Sequence, residues 1–148
     1  MHDDGLFDER AAAVYDEAGA DMFAPEVLGP TVATLAELAD ERPALELAIG
    51  TGRVALPLRA AGVDVAGIEL SRAMVAKLRE KPGGDEVPVT IGDMAATVVG
   101  EGFGLVYLVY NTISNLLTQD AQVACFENAA AHLAPGGVFV IENGVPPL

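Results

Sequence analysis

The amino-acid sequence predicts an α/β fold: a parallel sheet of about five strands with flanking helices, preceded by an N-terminal helical segment. Three observations carry this. From about residue 43 onward, short apolar runs alternate with helical stretches, the order that produces parallel strands joined by crossover helices. The runs end in glycine or polar residues, so each strand has a marked stop. One run, 103–110, is almost continuously apolar, as a strand covered on both faces requires. The chain has 148 residues, 51% of them hydrophobic, enough for one compact core without disulfide or metal support.

The elements follow in order. Residues 7–18 are rich in Ala, Asp and Glu and read as a helix ended by Gly19. A second helix runs from about Pro30 to 39, with Leu28, Val32, Leu35 and Ala39 forming one apolar stripe and Pro30 placed in the first turn. Asp40-Glu41-Arg42-Pro43 is a polar stop. Residues 44–48 form a strand that runs into Gly50-Thr51-Gly52, and 53–61 form a helix with Pro57 in its early turns. Residues 63–68 form the second strand, ending at Glu69. Ser71 is suited to cap a helix over 72–81, broken by Gly83-Gly84. Val87, Val89 and Ile91 alternate as a third strand stopped by Gly92-Asp93. After the fourth strand, Thr118 is suited to cap a helix over 119–133, with Val123, Phe126, Ala130 and Leu133 as its core stripe. Pro135-Gly136-Gly137 is a turn, and 138–141 the fifth strand. Two regions result: a helical cap, 1–42, and the alternating core, 43–148.

Composition narrows the function. There are 22 acidic and 8 basic side chains, a formal charge of −14. Such a polyanion repels phosphate backbones and mildly favours cationic ligands, so no nucleic-acid partner is expected. One cysteine, Cys125, excludes an intrachain disulfide framework. No apolar run reaches the roughly 20 residues of a membrane span, and the acidic N-terminus lacks the order of a signal peptide. The expected location is cytoplasmic, with no membrane partner. No metal site is expected: the acidic pairs Asp3-Asp4, Asp8-Glu9 and Asp85-Glu86 read as solvated charges.

In open parallel sheets, ligands bind beyond the carboxyl ends of the strands. Three features fall there. Glu46-Leu47-Ala48-Ile49-Gly50-Thr51-Gly52 joins a strand to a helix through small residues that let backbone approach a ligand. Glu69 ends the next strand, where a carboxylate can accept both hydroxyls of a ribose. Gly92-Asp93-Met94 follows the third strand; Asp93 can accept from an adenine amino group and Met94 can pack on a purine face. Taken singly, Glu69 reads as a solvated strand-end charge and Asp93-Met94 as an ordinary turn over a buried methionine. Their succession at three consecutive strand ends favours a nucleotide-like ligand. A dinucleotide fingerprint requires glycine at 48, 50 and 53, where the sequence has Ala48, Gly50 and Arg53. No Gly-Lys pair occurs, which excludes a P-loop.

The pattern Glu46-x-Ala48-x-Gly50-x-Gly52 resembles the first motif of the Rossmann-like S-adenosylmethionine-dependent methyltransferases. The resemblance continues through Gly67-Ile68-Glu69-Leu70-Ser71, Gly92-Asp93-Met94 and the Leu133-to-Gly137 turn, over residues 45–141. It implies S-adenosylmethionine as cofactor and a small-molecule methyl acceptor. It further implies that Glu46, Ala48 and Gly50 line the methionine moiety and that Glu69 binds the ribose hydroxyls, with Leu70 beside the adenine. Asp93 would hold the adenine amino group, Met94 would flank the ring, and Asn111 would lie near the methionine end. In related small-molecule enzymes a Tyr-Asp pair on an N-terminal helix closes over the cofactor, a role that falls to Tyr15-Asp16, with Met22 or Phe23 as an apolar lid.

The sequence departs from the family at several points. Ala48 replaces the usual first glycine, which is tolerable if φ is negative there. Gly104 stands where an acidic residue is frequent. The family continues with a further helix and two more strands, absent before Leu148, so the sheet is expected to end at an open fifth strand. Either the chain is shortened or a partner strand or subunit covers that edge, which makes homo-oligomerisation an expected mode of association.

Methyl transfer is an in-line displacement in which the protein chiefly positions two reactants. The residues offer no strong general base. His132 reads as a partner of its helix dipole and Cys125 as a packing residue. Tyr107 and Tyr110 lie on opposite faces of a regular strand and cannot both point at one ligand. The expected function is methyl transfer to a small molecule. A non-catalytic cofactor-binding or assembly module is the alternative, and a nicotinamide-dependent oxidoreductase stands behind both because of Arg53.

Overall fold

The computed structural model describes residues 25–108 and 119–141. The expectations on Tyr15, Asp16, Met22, Phe23, Tyr110, Asn111 and Thr118 lie outside the described residues. The elements are α1 (Pro25–Ala39), β1 (Ala44–Leu47), α2 (Ala55–Ala60), β2 (Val65–Glu69), α3 (Arg72–Arg79), β3 (Val89–Ile91), β4 (Phe103–Leu108), α4 (Gln119–His132) and β5 (Leu133–Ile141), with a short 3-10 turn at Gly84–Glu86. The five strands form one sheet in the order β3-β2-β1-β4-β5, and all four pairings are parallel. Strand order reverses direction between β1 and β4, so the crevice above these two strands is the place for a ligand.

Alternation along the central strands builds two cores. On one face Ala44, Leu105 and Tyr107 pack with Val32, Leu35 and Ala39 of α1 and with Ala55 and Leu58 of α2. On the other, Leu45, Leu47, Val106 and Leu108 pack with Cys125 and Ala129 of α4. All of β1 and all of β4 are buried, as strands sandwiched between helix layers must be. The α1 stripe falls where the helical period puts it. The helix begins at Pro25, however, and Pro30 lies inside it rather than in its first turn. Proline's missing N–H leaves the Glu26 carbonyl without its helical donor.

Two expectations about the C-terminal half are corrected. The buried face of α4 is Cys125, Asn128, Ala129 and His132. Val123 and Phe126 are instead 47% and 44% exposed. The polar pair takes the inner face because backbone partners await it. Asn128 Nδ2 donates to the Met94 and Thr97 carbonyls at 3.0 and 2.8 Å, and His132 Nε2 accepts from the Val99 N–H at 3.1 Å. His132 is fully buried, with Nδ1 2.7 Å from the Asn128 carbonyl, so it is a structural tie rather than a partner of the helix end alone. The Pro135-Gly136-Gly137 turn lies within β5, as an irregularity in its pairing with β4 between Phe103 and Leu105. Arg42 reaches the turn, donating to the Pro135 and Gly136 carbonyls. The same side chain explains Gly104: a Cβ there would lie 2.6 Å from Arg42 Cβ and 2.7 Å from the Ala39 carbonyl oxygen.

Candidate functional site

The turn at 48–52 leaves β1 and is sewn to β2. The Ile49 N–H donates to the Ile68 carbonyl at 3.1 Å, and the Gly50 N–H donates to Glu69 Oε1 at 2.7 Å. These two successive bonds require a left-handed backbone just before them. Ala48 accordingly has φ of 56°, which corrects the expectation of a negative φ. Its Cβ is retained at a steric cost of about 1–2 kcal/mol. Gly50 and Gly52 follow with φ of 62° and 80°, values that glycine adopts freely. Gly67 makes room for the turn. A Cβ on it would meet three Ile49 carbons at 2.5–2.8 Å.

Glu69 is buried at the end of β2, and its second oxygen accepts from the Ser71 N–H at 2.9 Å. One carboxylate thus joins the glycine turn to the start of α3. Ser71 in turn caps α3, its Oγ accepting from the Met74 N–H at 3.2 Å. Leu70 is 39% exposed beside this carboxylate, an apolar strand-end surface of the kind a flat aromatic ligand covers. A carboxylate that already accepts two N–H groups is chemically matched to a pair of vicinal hydroxyls, which would share or replace those donors.

After β3, Asp93 is exposed and its Oδ1 accepts from the Ala95 N–H at 2.8 Å, which orients the carboxylate at the strand end. Met94 is turned inward, 8% exposed and packed in the α4-side core. Glu46, two residues before Ala48, is buried in the opposite core, where Tyr107 from β4 donates to its Oε1 at 2.9 Å. Burial pushes the Glu46 carboxyl well above the usual carboxylate range; the Tyr107 hydrogen bond opposes this, and the nearby Glu69 adds to it. Burial likewise pushes the Tyr107 phenol up, with Glu46 reinforcing the shift.

Ala48, Gly50, Glu69, Leu70 and Asp93 therefore share the carboxyl ends of three neighbouring strands, with Glu46 beneath them. Sequence reasoning missed the partnership of Tyr107 with Glu46. Both lie on one sheet face, but only the β1–β4 register makes them direct neighbours. Cys125 is buried, and its thiol is raised to about 11, chiefly by burial, which suits packing rather than nucleophilic attack. Among the described residues no metal-binding cluster of three or more ligands occurs, and no helix is long and apolar enough to cross a membrane.

A family model described as a methyltransferase domain matches residues 44–137. A dTDP-4-amino-2,3,4,6-tetradeoxy-D-glucose N,N-dimethyltransferase of Saccharopolyspora spinosa is 40% identical over 106 residues, covering 71% of this chain and 41% of that protein. The CcbJ methyltransferase of Streptomyces caelestis superposes with a TM-score of 0.71 at 42% identity, over 75% of this chain and 46% of that one. CalS10, an amino pentose methyltransferase of Micromonospora echinaspora solved with SAM bound, gives a TM-score of 0.73 at 29% identity, over 86% and 55%. The chain thus spans about half the length of these relatives. The matched span runs from the start of β1 into the β5 turn and contains every described strand-end residue above, and on that match the chain belongs to the methyltransferase domain family.

Proposed function

We propose that this chain is the cofactor-binding portion of an S-adenosylmethionine-dependent methyltransferase whose acceptor is the amino group of a small molecule, an amino sugar in the first instance. The observation that carries the reading is the Glu69 carboxylate, which links the Gly50 and Ser71 N–H groups at adjacent strand ends of a family member. The acceptor class is supported by the relatives that methylate amino sugars, and by a net charge of −14, which attracts an ammonium-bearing acceptor.

When bound, the cofactor supplies an activated methyl group on a sulfonium. The chain's part is to bind and orient. The left-handed turn at Ala48 and Gly50 presents backbone with nothing larger than a methyl group at those two positions, and the Glu46 carboxyl beneath it is suited to the ammonium of the methionine portion. Glu69 is suited to the ribose hydroxyls, Leu70 to one face of the adenine, and Asp93 to its amino group. Holding both reactants in line converts a bimolecular encounter into a positioned one, the main contribution a protein can make to this reaction. A cytoplasmic location belongs to the same proposal, since a single buried thiol suits a reducing compartment. So does self-association through β5, which ends the described sheet.

The test is calorimetric titration of the 148-residue chain with S-adenosylhomocysteine, with NADH as control. Selective binding of the first is expected. Preference for NADH would make the chain a nicotinamide protein. Selective binding without turnover of any amino-sugar acceptor, in the chain and in a longer form alike, would make it a binding module.

A further inference from the structure

We propose that Tyr107 is a positioning residue for the cofactor: its hydroxyl orients the buried Glu46 carboxylate toward the ammonium group of a ligand seated over the turn at 48–52. The proposal rests on the cofactor reading above and adds to it a residue from β4 that no strand-end motif contains. Glu46 and Tyr107 are direct partners in the parallel β1–β4 register, and the hydroxyl lies 2.9 Å from Oε1. Glu46 is 5% exposed and Tyr107 fully buried. Tyr107 belongs to the core cluster that also holds Val32 and Leu35 from α1, Ala55 and Leu58 from α2, and Leu105 from β4. An apolar pair would pack there without desolvating a carboxyl and a phenol.

Among the described residues the buried Glu46 carboxyl has one neutral donor and a second carboxylate nearby, and an incoming ammonium group offsets both the burial and that repulsion. Among the described residues, the titratable groups that bear on Glu46 are Tyr107 from β4 and Glu69 from β2, while α1 and α2 bring apolar side chains to that face. The Tyr107 bond favours the ionised carboxyl, against burial and Glu69. Removing the hydroxyl must therefore raise the Glu46 carboxyl further, so that more of it is protonated at a given pH.

The experiment compares the 148-residue chain with Tyr107→Phe, titrated with S-adenosylhomocysteine and with 5′-methylthioadenosine, which lacks the amino-acid portion. The range is about pH 5 to 8, over which the chain is expected to stay folded. In the wild type, affinity for S-adenosylhomocysteine falls as the pH drops through the elevated range of Glu46. In Tyr107→Phe the fall begins at higher pH, because the bond that favours the ionised carboxyl is lost, while affinity for 5′-methylthioadenosine is unchanged. Glu46→Gln, whose amide oxygen can still accept from Tyr107, flattens the profile, and a profile kept in Glu46→Gln refutes the proposal even where Tyr107→Phe fails to fold. Superimposable profiles for wild type and Tyr107→Phe, or equal losses for both ligands, overturn the positioning role while the cofactor reading stands. A wild-type chain that binds neither ligand overturns both.

Discussion

Ala48 shows how one backbone torsion records what a site needs. At φ of 56° an alanine carries a steric cost of about 1–2 kcal/mol that glycine would not. Glycine also makes the unfolded chain more flexible, which returns about 0.4–1 kcal/mol of the gain. Ala48→Gly is therefore expected to stabilise the chain by about 0.5–1 kcal/mol, read as a rise in the urea midpoint at unchanged slope. An unchanged or lowered midpoint would mean that the turn is not strained at this residue. The residue types at the site were legible before the structure: Glu46, Gly50, Glu69 and Asp93 stand where a strand-end ligand needs acceptors or bare backbone. The torsion at 48 was not, because it follows from where the next two N–H groups go. One meets the Ile68 carbonyl and the other the Glu69 carboxylate, and both lie on a strand that the chain has yet to form.

The elements were legible where local chemistry decides them. Ser71 caps α3 as its side chain and position imply, and the continuously apolar run of β4 is buried on both faces. The face of α4 was misread for a physical reason. Helical periodicity weighs apolar side chains, and Val123 and Phe126 outscore Asn128 and His132 on that scale. What decides the orientation is the set of unpaired backbone groups in the loop after β3: the Met94 and Thr97 carbonyls and the Val99 N–H, which only polar side chains can satisfy. Phe126 turns outward and meets Phe139 edge-on, with ring centroids 5.6 Å apart. Because α4 holds the loop that carries Asp93, it supports the site from behind. Asn128→Leu keeps a similar volume but abandons two carbonyls, so a loss of about 1–3 kcal/mol in stability is expected from chemical denaturation. Affinity for S-adenosylhomocysteine should fall with it. A stability loss with undiminished affinity would show that the Asp93 turn holds its shape without α4.

At the scale of the whole molecule, the charge balance acts on stability as well as on ligand choice. A formal charge of −14 on 148 residues leaves most carboxylates without a basic counterpart. Ion pairs such as Arg59–Glu86 and Lys77–Glu80 are solvent-facing and worth little, since exposed pairs contribute about 0–1 kcal/mol. Folding gathers the unbalanced charges into a smaller volume, and their mutual repulsion opposes the compact state. Dissolved salt shortens the range of that repulsion to about 8 Å at 0.15 M. Raising sodium chloride from about 0.01 to 0.15 M should therefore raise the melting temperature. If about 1 kcal/mol of repulsion is relieved, the rise is about 3 °C for a chain of this length. Scanning calorimetry at neutral pH checks this, and the gain should level off as the screening length falls below the spacing of the surface charges. The pH dependence of the salt response separates screening from strengthened burial: a response no larger at neutral pH than near the pH where the carboxylates protonate would assign the effect to burial. A melting temperature indifferent to salt would mean that the eight basic side chains, few as they are, already neutralise the field where it is strongest.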